Sequence, residues 1–169
     1  MAYTVPTLTK LFQHPTTKKH KRAYEGSAKF QAALRIWKYE VQGTEVEITD
    51  PQIHYTMSVG FLAKQGRDVC LLREYIGEES QHDQHMEPPL DTLVDSILHR
   101  ELYQLLLACI ILEKRYQCHL YDHAFVIQVH PQGVTRHSLP RVMIEQVETV
   151  YAQEVARLTT STIEESATC

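Results

Sequence analysis

The stretch Ile53-His54-Tyr55-Thr56-Met57-Ser58-Val59-Gly60-Phe61 decides how the rest of the chain is read. Apolar residues at 53, 55, 57, 59 and 61 alternate with His54, Thr56, Ser58 and Gly60. A period of two sustained over this length marks a half-buried strand. The polar turn Lys64-Gln65-Gly66-Arg67-Asp68 follows, and Val69 to Ile76 returns as a second strand. This predicts an antiparallel hairpin. Upstream, Asp50-Pro51 is a turn signal, and Val46 and Ile48 alternate with Glu45, Glu47 and Thr49. Gly43 breaks that pattern from Phe30–Val41, a stretch rich in aromatic and β-branched residues that holds Trp37.

Downstream, Gly77 to Pro89 is polar and acidic, with Glu78, Glu79, Asp83 and Glu87, and reads as an exposed loop. Leu90, Leu93, Val94, Ile97, Leu98, Leu102, Leu105 and Leu106 then share one helical face. Asp91 and Asp95 fall in its first turns, where the helix dipole favours anions. Leu107 to Leu112 is continuously apolar, and periodicity cannot choose between helix and strand there. A switch to strand near Cys109 is expected, with a turn between Glu113 and Asp122. Phe125, Ile127 and Val129 alternate as the returning strand, which Pro131-Gln132-Gly133 ends. Ser138 and Pro140 mark the start of a last helix through Met143, Val147, Val150, Tyr151, Glu154 and Leu158.

The expected fold is therefore α+β: a small antiparallel sheet of hairpins packed with two to three helices. Residues 29–158 form the single domain, behind a flexible basic arm at 1–28 and ahead of a polar tail at 159–169 that frays. A chain of 169 residues with 43% hydrophobic content can bury a core without disulfides or metals. Cys70, Cys109 and Cys118 sit in or beside apolar runs, and with Cys169 they form no C-x-x-C pair. Such thiols suit a reducing compartment. No hydrophobic leader is visible, and no apolar run reaches membrane-spanning length, so neither secretion by signal peptide nor a transmembrane helix is expected.

Charge is unevenly distributed. The net charge is −4. Residues 1–29 carry Lys10, Lys18, Lys19, Lys21, Arg22 and Lys29 against Glu25, a balance of +5 that leaves −9 on the remainder. The run Lys18-Lys19-His20-Lys21-Arg22 is a candidate polyanion-binding element for lipid or RNA, through Lys18, Lys19, Lys21 and Arg22. A solubilising tail and a nuclear import address are the competing readings of the same residues. Overall acidity argues against a dedicated duplex-DNA binder. The arm's only amphipathic hint is Val5, Leu8, Leu11 and Phe12.

No catalytic constellation is legible. His82 with His85, and His119 with His123, are pairs without the third and fourth ligands a zinc site needs. His54-Tyr55-Thr56 has the H-x-T form of two-histidine phosphoesterases, but its nearest counterpart, His137-Ser138-Leu139, lacks the third-position hydroxyl. Neither a G-x-S-x-G elbow nor a phosphate-binding glycine loop is present, and Cys70 lies among apolar residues that disfavour its thiolate. A non-enzymatic protein with no cofactor and no metal is expected.

The order of elements resembles the matrix proteins of rhabdoviruses, over the central and C-terminal two thirds. Size and the lysine-rich arm look like the shorter matrix proteins of plant-infecting members. The segment from Ile110-Ile111-Leu112-Glu113-Lys114 through Cys118-His119-Leu120 to Phe125-Val126-Ile127-Gln128-Val129-His130-Pro131 looks like that family's late strand pair. The chain departs from the pattern in lacking P-P-x-Y and P-T-A-P motifs, in its net acidity and in a long helix after the last strand. The resemblance implies a structural protein of virion and host cytoplasm, or nucleus, that polymerises with itself. In that reading Val5, Pro6, Leu8, Leu11 and Phe12 supply apolar anchors for self-association, and the further partners are viral nucleocapsid RNA and an anionic membrane surface, to which the K-K-x-K run adds nuclear import machinery. A monomeric adaptor or regulator binding nucleic acid or protein through the arm is the alternative. A hydrolase using His54 is a third reading.

Overall fold

The computed structural model describes residues 24–78 and 96–167, the last seven by backbone alone. Helix α1 (Ala28–Ile36) opens with Ser27 in an extended conformation, its hydroxyl accepting from Phe30 N at 3.2 Å. This N-cap satisfies an otherwise orphaned amide. Phe30, Ala33 and Leu34 form its buried stripe. Strands β1 (Tyr39–Asp50), β2 (Tyr55–Gln65) and β3 (Asp68–Ile76) follow, then helix α2 (Ile97–Tyr116). A turn of 3-10 helix at Tyr121–His123 leads into β4 (Ala124–His130), β5 (Gly133–Ser138) and helix α3 (Arg141–Ala167). The sheet order is β1-β2-β3-β4-β5, antiparallel except where β3 meets β4. That one parallel joint is where α2 lies between consecutive strands, and parallel neighbours require such a crossover.

Both faces of the sheet are covered. On one, Val46, Ile48, Met57, Val59, Leu62 and Leu71 pack with α2 and α3. On the other, Phe61, Ala63, Cys70, Leu72, Ile127 and Val129 pack with Phe30 and Leu34 of α1. The molecule is thus an α+β fold of a five-stranded, mostly antiparallel sheet between one helix and two.

The alternation in β2 holds from Met57 to Val59 and then changes phase. Val59 faces α2 and α3, whereas Phe61 faces α1. The change falls at Gly60, whose φ of 112° no side chain adopts easily, where the β1–β2 register shifts. A Cβ there meets the Leu72 carbonyl oxygen at 2.7 Å. The β2–β3 hairpin has the expected polar turn, with Gln65 opposite Asp68 and Gly66 at φ 61°.

Two expectations need correction. No switch to strand occurs near Cys109: α2 runs unbroken to Tyr116, and every residue from Leu105 to Leu112 is buried. An apolar run with no polar side belongs to a helix packed all round. Ile110–Leu112 is consequently no partner for Phe125–Val129, and the late hairpin is instead β4 with β5. The α2 helix also starts at Ile97, because Ser96 is extended and its side chain accepts from His99 N at 3.1 Å. Its end is a left-handed turn at Gln117, with Gln117 N on Glu113 O and Cys118 N on Leu112 O at 3.2 and 3.1 Å. Leu90 to Asp95 lies outside the described residues. Helix α3 runs to Ala167.

Candidate functional site

Tyr24 and Ser27, inside the stretch 1–28 expected as a flexible arm, are fastened to the body by one carboxylate. Glu74 accepts from the Tyr24 hydroxyl through one oxygen, and from Ser27 N and Oγ through the other at 3.0 and 2.7 Å. The Tyr24 ring lies 6.5 Å from that of Phe61. The Glu74 hydrogen bond, followed by burial, pushes the Tyr24 hydroxyl up to about 12. Alongside, Arg73 pairs with Glu101 of α2 and donates to Ser58 O at 3.0 Å. This guanidinium spans the gap beyond Phe61–Leu72, the last register pair between β2 and β3. Glu45, at φ 51° in the β1 irregularity, completes an open cleft of about 260 Å³ with Tyr24, Ser58, Arg73, Glu74 and Glu101. Sequence reasoning missed this cleft. Its one signal was Arg73-Glu74, a charged pair inside an otherwise apolar strand.

A second polar assembly ties the far end of the β1–β2 ribbon to both long helices. Asp50 is fully buried and accepts from Gln52 N at 2.9 Å, Arg115 Nε at 3.0 Å and the Tyr151 hydroxyl. Arg115 also lies over the Tyr151 ring, 5.9 Å from its centre. Burial, then the bond to Asp50, raises the Tyr151 hydroxyl to about 12. Tyr116 donates to Thr49 O at 2.9 Å. Beside this knot, Ile53, Tyr55, Tyr103, Leu107, Tyr151 and Leu158 contribute to an apolar cleft of about 270 Å³. On the α1 side, Arg136 sits over Trp37 and Phe125, 5.4 and 4.7 Å from the ring centres, and donates to the Tyr39 hydroxyl at 2.8 Å. These are fastenings of the fold, in which a planar cation bridges aromatic faces.

The sequence's chemical candidates are scattered. His54 is exposed in the β1–β2 turn, at φ 50°. His137 is on β5, bonded to Gln128 Oε1 at 2.9 Å. Strands β3 and β4 separate β2 from β5, so the two histidines do not face one another. His119 reaches Glu113 at 3.5 Å, and among the described residues no group of three or more metal-binding side chains assembles. Cys70, Cys109 and Cys118 are free and buried, and burial raises all three thiols, Cys70 and Cys118 to about 11. Among the described residues, no helix is long and apolar enough to cross a membrane. The arm residues Val5, Pro6, Leu8, Leu11, Phe12, Lys18, Lys19, Lys21 and Arg22 lie outside the described residues, as do His82, His85 and Cys169.

Comparison of the sequence with protein-family models finds no match, and comparison with curated proteins finds none.

Proposed function

We propose that this chain is a non-enzymatic structural protein of matrix type, which self-assembles and bridges a ribonucleoprotein and an anionic membrane surface. The observation that carries the reading is the fastening, onto the folded body, of the residues that directly follow a basic run. Arg22 is two residues from Tyr24, and Tyr24 and Ser27 are fastened to β3 through Glu74. A charged connector joined firmly to a packed module is what a protein needs to link a polyanion to its own copies. Lys18, Lys19, Lys21 and Arg22 meet phosphate groups, and Val5, Pro6, Leu8, Leu11 and Phe12 dock on a neighbour. The reading rests on arm and body, not on the late strand pair, whose first member is helical.

Cosedimentation with phosphatidylserine vesicles and with RNA tests it. Binding to both is expected to fall steeply with salt, because each neutralised phosphate releases counterions. Replacing Lys18, Lys19, Lys21 and Arg22 with Gln is expected to abolish it. Binding that ignores both salt and these substitutions contradicts the polyanion role. A chain that binds polyanion yet stays monomeric is the adaptor of the alternative reading.

A further inference from the structure

We infer that the cleft at the root of the arm is a docking surface for the arm's own basic run, Lys18 to Arg22, in the same molecule. The body then competes with external polyanion for these charges. The inference rests on the proposed reading of that run and adds a regulator to it.

The cleft has the complementary charge. Glu45, Glu74 and Glu101 line it, and its one basic lining residue, Arg73, is already paired with Glu101. The occupant is set by connectivity. Tyr24 lies in the cleft, held by Glu74, and Arg22 and Lys21 precede it by two and three residues. A chain extends by at most about 3.5 Å per residue, so these two stay within roughly 11 Å of Tyr24 and Lys18 within about 21 Å. Charges are screened over about 8 Å at physiological salt. The nearest basic residues therefore remain in the field of the cleft, and so short a tether gives an effective concentration on the order of millimolar.

The charge of the occupant is one-signed: residues 1–23 hold five basic residues and no acidic one. Polyanion must displace the run from its own body before binding it.

The test uses the full chain and a 20-nucleotide oligouridylate at low salt. The pair Glu45→Gln and Glu101→Gln is compared with Glu145→Gln and Glu154→Gln on α3, an equal change in charge. The cleft pair is expected to tighten binding about two- to five-fold more than the α3 pair, the range exposed ion pairs allow. Glu45→Gln alone leaves the Arg73–Glu101 pair intact and is expected to give part of the gain. Equal gains from the two pairs overturn the inference. If Lys18→Gln, Lys19→Gln, Lys21→Gln and Arg22→Gln together leave oligonucleotide binding unchanged, the polyanion reading has failed independently. Carbodiimide cross-linking of the wild-type chain then decides the docking. Links from Lys18, Lys19 or Lys21 to Glu45, Glu74 or Glu101 within monomers support it, and their absence, or their occurrence only between copies, overturns it.

Discussion

Asp50 joins three elements that are distant in sequence, and its fully buried carboxylate needs every partner it has. Removing one member of such a group leaves the others buried without a counterpart. Asp50→Ala is expected to cost about 3 kcal/mol, read as a lower urea midpoint with unchanged slope. Tyr151 gives the group a pH signature. Its hydroxyl is raised to about 12 from an ordinary value of 10, so the folded chain keeps a proton that the unfolded chain loses first. Its contribution is complete below pH 10 and disappears as pH rises towards 12. The alkaline fall in stability is therefore expected to be shallower in Tyr151→Phe than in the wild-type chain. Parallel curves contradict the assignment. None of this was legible in the sequence, where Asp50-Pro51 reads as a turn. The partners lie 65 and 101 residues away, and only folding brings them together.

Among the elements, the hairpin of β2 and β3 was legible because alternation and a polar turn agree on it. Gly60 shows what alternation hides. A bulge moves the buried set to the other face without altering the apolar pattern, since α1 makes both faces of β2 apolar after it. Gly60→Ala forces a Cβ to within 2.7 Å of Leu72 O and an unfavourable φ. It is expected to destabilise by about 2 kcal/mol in denaturant melts. The α2 helix was misread beyond Cys109 because Leu105 to Leu112 is buried all round, which erases the periodicity that separates helix from strand. Ile111→Ala, deep in that run, is expected to cost about 3 kcal/mol. Helix α1 went unread since its buried stripe is only Phe30, Ala33 and Leu34.

For the whole molecule, the proposed function divides the work between body and arm. The body buries both faces of its sheet and spends its clustered polar groups on fastening helices to strands. The basic run is a feature of the sequence itself, but the cleft beside Tyr24 was not legible there, because Glu45, Glu74 and Glu101 meet only in three dimensions. Light scattering of the full-length chain against concentration at low salt tests the claim most directly. The mean mass is expected to climb with concentration and to return to the monomer when Val5, Leu8, Leu11 and Phe12 are replaced with Ser, while the melting transition stays put. A chain that remains monomeric at the highest concentration and lowest salt contradicts it.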